Sequence, residues 1–178
     1  MNTAKPRLLL LSDLWGKEKS EWIIYYTSIL ENYFELKYYD CCDLGTINKS
    51  SYSEESLHHQ FINGGIEKAV ANLLQIEKGF ISVLAFSIGG LIAWKSGLSG
   101  LKILNLYAIS STRLRYESEK PLGTIELFYG KNDIYKPDST WFTKLELKEN
   151  FFSNQEHELY KQKDFAERIC RIIVEKII

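Results

Sequence analysis

The chain has 178 residues and a formal net charge of −1, which predicts one domain, residues 1–178, with a single sizeable core. This charge gives no electrostatic reason to expect nucleic acid or a membrane surface as a partner. No apolar run approaches the roughly 18 residues of a membrane span and no signal-length apolar segment precedes the first predicted strand, so a cytoplasmic protein is expected. Three cysteines, two of them adjacent, do not form a disulfide framework.

Short apolar segments predict six β-strands along the chain. In chain order they are Leu8–Leu11, Phe34–Tyr39, Phe80–Phe86, Lys102–Ile109, Thr124–Tyr129 and Lys144–Leu147. Apolar residues at helical spacing alternate with these strands. The predicted helices carry Trp22 to Tyr33, with Ser20 as N-cap, then Ile66 to Leu74, the segment after Ser87, and Phe165 to Ile177. The alternation indicates an α/β/α sandwich around a mainly parallel sheet, whose strand carboxyl ends form the expected site.

The third predicted strand ends at a serine that small residues flank. Ala85 and Gly89 stand two positions before and after Ser87, and an apolar helix follows. A sharp turn brings the flanking backbones close to neighbouring elements, so larger side chains would clash there. The pattern is typical of a nucleophile elbow, which exposes the serine hydroxyl beside the positive N-terminus of the next helix. The alternative is an ordinary serine in a strand-to-helix turn.

These features resemble the α/β-hydrolase superfamily over nearly the whole chain, and the resemblance implies a small member without a cap domain. The family places its nucleophile, acid and histidine in that order along the chain. Of the three histidines only His157 follows Ser87, and the segment from Leu127 to Asp133 matches the family's strand-Gly-x-x-Asp pattern, so Asp133 is the candidate acid. The chain departs from the family pattern at Ala85, where the elbow usually has glycine, and at Glu156, where a glycine usually precedes the histidine.

The resemblance also implies an oxyanion hole made of two backbone N–H groups. One belongs to Ile88, the residue after the expected nucleophile. The other lies in the loop after the first strand, residues 12–16, where Leu14 is the first choice and Trp15 the alternative. Such donors usually lower the barrier of acyl transfer more than any other group.

An ester or thioester hydrolase with an acyl-enzyme intermediate needs these residue types. A serine hydroxyl attacks poorly unless a base takes its proton, and His157 would do so near neutral pH and then protonate the leaving group. Asp133 would hold the imidazole tautomer and stabilise its charged form. This mechanism needs no metal and no cofactor, and no Cys/His cluster has zinc spacing.

Two other readings stay open. If His157 belongs to a solvated loop or Asp133 is a turn residue, the chain is a hydrolase-like binding module without turnover. A flavodoxin-like protein is disfavoured because the loop 12–16 lacks a phosphate cradle rich in glycine or in serine and threonine.

The connection between the fourth and fifth strands limits the expected substrate. Residues 110–123 number about fourteen, close to the minimum for a crossover, so a lid domain does not fit there. The polar segment Thr46–His59 is the other candidate cover. An open site suits a short acyl ester or thioester, including one carried by another protein.

The segment Ser110–Arg115 supplies one further substrate idea. It resembles the biotin-pathway esterases of the superfamily, which cleave a pimeloyl methyl ester on acyl carrier protein. Its hydroxyls and its arginines, Arg113 and Arg115, would line the pocket or meet an acidic carrier, and a solvated loop is the alternative. The sequence leaves the oligomeric state open.

Overall fold

An all-parallel sheet of six strands lies at the centre of the part of the chain that the structure, a computed structural model, describes, residues 4–178. Residues 1–3 of the predicted domain lie outside the described residues. The strands lie in the order β2-β1-β3-β4-β5-β6. Their bounds are β1 Arg7–Leu11, β2 Glu35–Tyr39, β3 Phe80–Phe86, β4 Lys102–Ile109, β5 Thr124–Gly130 and β6 Phe151–Phe152.

Helices cover both faces of this sheet, which confirms the predicted three-layer sandwich. The α-helices of the described chain are α1 Ile24–Leu30, α2 Cys41–Gly45, α3 Glu54–Gln60, α4 Ile66–Ile76, α5 Ile88–Leu98, α6 Ser139–Lys144 and α7 Lys163–Ile177. Helices α2, α4, α5 and α6 contribute to a core on one face, and α1 and α7 to a core on the other. Within residues 4–178 no helix combines the length and apolar character needed to cross a bilayer.

The first strand shows why a continuous apolar run forms a central strand here. Successive side chains of a strand point to opposite faces of the sheet. Leu9 and Leu11 therefore pack into the α4/α5 core, while Leu8 and Leu10 pack into the α1/α7 core. All four are fully buried. Each burial stabilises the fold by roughly 1.5–3 kcal/mol, so both helical layers are held to this strand.

The sixth strand lies later in the chain than predicted. Residues 144–147 form the end of α6 and a turn, in which Glu146 has a φ of 53° and its N–H bonds to the carbonyl of Thr143. A positive φ interrupts an extended strand. The strand predicted from the alternation of polar and apolar residues at Lys144–Leu147 is therefore wrong. The strand that pairs with β5 is Phe151–Phe152, which begins only six residues before His157.

The start of the first predicted helix is also corrected. Ser20 makes no side-chain cap, because its hydroxyl donates to the carbonyl of Lys17 and accepts from the Tyr38 hydroxyl. A short 3-10 turn, Glu21–Ile23, follows it, and the α-helix begins at Ile24. The buried face of this segment nevertheless includes Trp22 and Tyr26, as the apolar spacing indicates.

The strand order places four loops at one edge of the sheet. The chain moves outward from β1 to β2 and then in the opposite direction through β3, β4 and β5. Parallel sheets bind ligands where this direction reverses, at the strand carboxyl ends. The loops after β1, β3, β4 and β5 meet there with the turn that follows β6, and together these segments contain the predicted site residues.

Candidate active site

Ser87 forms a strained turn between a buried strand and a buried helix. It has a φ of 48° and a ψ of −115°, which costs a residue other than glycine roughly 1–3 kcal/mol. Its N–H donates to the carbonyl of Ile109 (2.8 Å), which ties the turn to β4. A Cβ on Gly89 would stand 2.5 Å from the Ser12 carbonyl oxygen, so this position has room for glycine only. The arrangement has the geometry expected of a nucleophile elbow.

The structure brings Ser87, His157 and Asp133 together in one hydrogen-bonded chain. Ser87 Oγ lies 3.2 Å from His157 Nε2, and His157 Nδ1 lies 2.8 Å from Asp133 Oδ2. Asp133 Oδ1 accepts from the N–H of Tyr135 (3.0 Å). The imidazole is partly open to solvent, at 36% exposure, whereas the carboxylate is 2% exposed. This arrangement can pass a proton from the hydroxyl to the imidazole while a buried carboxylate holds the ring.

The loop after β1 lies beside the elbow, and of its two predicted oxyanion donors only one has an uncommitted N–H group. The Trp15 N–H donates to Asp13 Oδ1 (2.9 Å), so it is not free to bind an oxyanion. The carbonyls of Leu14 and Trp15 accept from Cys42 Sγ and from the Tyr52 hydroxyl. The N–H groups of Leu14 and Ile88 each find no acceptor among residues 4–178. Of the two predicted alternatives, Leu14 therefore has the available donor.

Solved structures with a similar backbone share one fold. A protein from Xanthomonas campestris pv. campestris assigned to the alpha/beta hydrolase superfamily is 15% identical, with a TM-score of 0.69 over 97% of this chain and 100% of that one. The α/β hydrolase domain-containing protein 10 from mouse is 11% identical, with a TM-score of 0.69 over 99% and 91%. Est1E from Butyrivibrio proteoclasticus, solved with ferulic acid bound, is 11% identical, with a TM-score of 0.64 over 98% and 88%. The chain has the α/β-hydrolase fold.

Similar proteins are found by their backbone structure and not by their sequence. No family model matches the chain, and no curated protein matches it. Within the α/β-hydrolase fold, the connection between β4 and β5 contains only the 3-10 turn Thr112–Tyr116, and no cap domain is evident in the described residues.

Contacts that sequence reasoning missed hold His157 in place. The Ser110 hydroxyl donates to the His157 carbonyl (2.6 Å), and Ser110 has a φ of 53°. A Cβ on Gly130 would stand 2.3 Å from the Gln155 carbonyl oxygen, so this glycine lets the histidine loop pack against the end of β5. In the sequence, this close approach to Gln155 was signalled only by Gly130 itself, the glycine of the strand-Gly-x-x-Asp pattern.

Asp13 is a second missed feature of the site. It is fully buried; its Oδ1 accepts from the Trp15 N–H, and its Oδ2 accepts from the Tyr160 hydroxyl (3.0 Å). Burial raises the pKa of the Asp13 carboxyl to about 6, although both hydrogen bonds favour its charged form. The carboxyl thus links the loop after β1 to the turn that begins at His157.

An open cleft of about 900 Å³ leads to the Ser87 hydroxyl. Both segments considered in the sequence contribute to its walls: Glu54, Glu55 and His58 from α3, and Thr112, Arg113 and Arg115 from the turn after β4. The polar segment Thr46–His59 includes the start of the helix α3. Ser53 caps this helix, because its hydroxyl accepts from the Ser56 N–H. Among residues 4–178, no group of three or more His, Cys, Asp or Glu side chains is arranged to hold a metal ion.

Proposed function

We propose that this protein is a serine hydrolase that cleaves a carboxylic ester or thioester through an acyl-enzyme intermediate. Ser87 Oγ would attack the substrate carbonyl while His157 takes its proton, and His157 would then protonate the departing alcohol or thiol. Water activated by the same imidazole would release the acid. The observation that carries this proposal is the hydrogen-bonded chain from Ser87 through His157 to Asp133, with its 3.2 Å and 2.8 Å steps.

The N–H groups of Leu14 and Ile88 would stabilise the oxyanion of the tetrahedral intermediate. Both residues line the cleft beside Ser87, and Ile88 is the first residue of α5, whose N-terminus carries partial positive charge. Donors that are fixed before the reaction stabilise the developing charge without reorganisation at that moment. Asp133 would keep Nδ1 of His157 protonated, so that Nε2 is free to act as the base.

The open cleft supports a small acyl substrate, which includes an acyl group presented on a carrier protein. Residues 4–178 form no evident cap domain that would enclose a long chain, and the cleft opens between α3 and the turn Thr112–Tyr116. The mechanism that we propose uses side chains and backbone groups of the protein and requires no cofactor.

Covalent labelling with a fluorophosphonate probe tests this function directly. The wild-type protein should be labelled, and Ser87→Ala and His157→Ala should each abolish the labelling. Ser99→Ala and His59→Ala are matched controls, because both side chains are exposed and neither lines the cleft. These two variants should be labelled like the wild type.

Two results would contradict the proposal. If folded wild-type protein is not labelled, the chain has no activated serine and the binding-module alternative is favoured. If labelling survives His157→Ala, another group activates the serine. Where labelling behaves as expected, turnover of short ester and thioester series then defines the leaving group.

A further inference from the structure

Two arginines line the cleft, and one of them is committed to the protein itself. Arg115 Nη1 donates to the carbonyls of Thr112 (2.9 Å) and Tyr135 (3.2 Å), and its Nη2 donates to the Tyr116 hydroxyl (2.7 Å). These bonds fix the turn after β4 and join it to the loop after Asp133. Arg115 therefore has a structural role at the rim.

Arg113 has no such commitment. Its half-buried guanidinium lies 5.2 Å from the ring centroid of Tyr116, and its Nε is buried without a protein acceptor. Within residues 4–178, no carboxylate lies within 4.0 Å of its guanidinium nitrogens. A buried donor without a partner is costly, and a guanidinium held against an aromatic ring is preorganised to bind carboxylate or phosphate.

The other charged groups of the cleft do not neutralise this guanidinium. Glu54 and Glu55 are exposed on the first turn of α3, and Glu158 pairs with Lys161. His58 faces the same wall, where burial and then the positive charge of Arg113 lower its pKa, the carboxylate of Glu54 raises it, and Arg115 lowers it. Arg113 thus affects His58 more strongly than Glu54 does, and the side chain of Glu54 is solvated.

We propose that Arg113 binds an anionic group of the substrate, a carboxylate or a phosphate, while the ester or thioester carbonyl lies at Ser87. This inference rests on the proposed function for the position of the reacting carbonyl. It defines the substrate class as an acyl compound with a negatively charged group at a distance from the bond that is cleaved. Arg113 is then a specificity-determining residue, and it takes no part in the bond changes.

The test is a binding titration on Ser87→Ala, which cannot turn the ligand over. Two matched pairs of ligands differ in the charged group. Monomethyl glutarate is compared with its uncharged terminal amide, and S-butyryl-4′-phosphopantetheine with S-butyrylpantetheine, which lacks the phosphate. Two-dimensional NMR titration measures the weak affinities expected for small ligands. In at least one pair the charged member should bind about tenfold more tightly, a typical effect of one hydrogen-bonded charge pair.

Variants assign this preference to Arg113. Adding Arg113→Gln should remove it, and adding Arg113→Lys, which keeps the charge without the planar fork, should retain part of it. Arg168→Gln is the matched control, because Arg168 is exposed on α7 over Phe152 and does not line the cleft. Raising the salt concentration from 0.05 to 0.5 M should weaken the preference. The pair that shows the effect identifies the group as carboxylate or phosphate.

Two outcomes overturn the inference. If the charged and neutral members bind equally in both pairs, the substrate does not need an anionic group and the proposal is wrong. If Arg113→Gln keeps the preference for the charged ligand while its NMR spectrum shows an unchanged fold, another residue binds the anionic group. Neither outcome depends on turnover, so the labelling of Ser87 tests the proposed hydrolase function separately.

Discussion

At the residue scale, both oxygens of Asp133 have defined partners. Oδ2 bonds to His157 Nδ1 and Oδ1 accepts from the Tyr135 N–H, and the side chain is almost fully buried. One carboxylate therefore shapes its own loop and orients the imidazole. These two roles can be separated, because the bond from Tyr135 needs only an acceptor oxygen.

Asp133→Asn should separate them. The amide oxygen can still accept from Tyr135, but the uncharged amide no longer stabilises an imidazolium or secures the reactive tautomer. We expect kcat for a short ester to fall about 10³–10⁴-fold with little change in the far-ultraviolet circular dichroism. Asp138→Asn, at the exposed N-cap of α6, should leave kcat unchanged. A loss of less than tenfold in Asp133→Asn would mean that another group orients His157.

Ser110 is predicted to be a positioning residue for the base. Ser110→Gly removes the 2.6 Å hydrogen bond to the His157 carbonyl, and glycine accepts the positive φ of this position without strain. We expect kcat to fall about fivefold with KM unchanged, since one neutral hydrogen bond contributes about 1 kcal/mol. Steady-state kinetics measure this split.

The neighbouring serine provides the comparison. Ser111 Oγ is buried without a protein partner, so Ser111→Ala should keep the wild-type kcat. Equal kinetic effects in the two variants would assign the result to general packing of the loop.

At the scale of elements, the contact between α5 and the loop after β1 sets the relative position of the two proposed oxyanion donors, Ile88 and Leu14. Gly89, in the first turn of α5, lies against the carbonyls of Leu11 and Ser12. The loop that follows those carbonyls contains Leu14, and the helix begins with Ile88. The two proposed donors are therefore separated by a distance that this backbone contact sets.

Gly89→Ala should disturb both stability and catalysis. Its Cβ meets backbone atoms that cannot rotate away, so we expect a loss of about 1–3 kcal/mol in the free energy of unfolding and a lower kcat. Gly97→Ala is the control: it overpacks the far end of the same helix, where its Cβ would lie 2.6 Å from Pro121 Cβ. Urea unfolding should show comparable destabilisation in both variants. The loss of kcat should be larger in Gly89→Ala than in Gly97→Ala. A larger kinetic defect in Gly97→Ala would contradict this role of Gly89.

At the scale of the whole molecule, buried hydrogen bonds connect α1, the loop after β1 and the turn that begins at His157. The Tyr26 hydroxyl on α1 donates to the Tyr160 carbonyl (2.8 Å), and the Tyr160 hydroxyl donates to Asp13. Burial holds the pKa of Tyr160 well above its usual value, so its hydroxyl remains a donor. The global stability of the fold therefore depends on the charge of Asp13.

This dependence has a defined sign. The pKa of Asp13 rises from an ordinary value of 3.8 to about 6 in the native protein, so the native state holds this proton more tightly than the unfolded chain. The associated stabilisation is complete below about pH 4 and is lost as the pH rises through about 6. It amounts to about 3 kcal/mol, because one pKa unit corresponds to about 1.4 kcal/mol.

Asp13→Asn removes this titration and provides the test. Relative to wild type, the variant should gain about 3 kcal/mol in the free energy of unfolding between pH 4 and pH 7.5, measured by urea unfolding. Asp164→Asn, an exposed change on α7, should follow the wild-type profile. Parallel profiles for wild type and Asp13→Asn would show that the buried carboxyl does not titrate in this range.

The sequence by itself determined the sandwich and the elbow. Mainly apolar runs predicted β3 at Phe80–Phe86 and β4 at Lys102–Ile109, because strands that are buried on both faces for most of their length contain few polar residues. Small residues around Ser87 predicted the turn, because that turn is a local steric property of neighbouring residues. The chain order of Ser87, Asp133 and His157 followed from a resemblance that the backbone comparisons confirm for the fold.

Only the tertiary structure decided where β6 lies, which loop N–H is free, and that His157 meets Ser87 from 70 positions away. A two-residue strand has no pattern of its own, and the alternation at 144–147 suited a turn as well as a strand. The position of the histidine depends on Ser110 and on the close approach of Gly130 to Gln155. Such contacts join residues that are distant in the chain, so no local pattern encodes them, and only the packed fold brings them together.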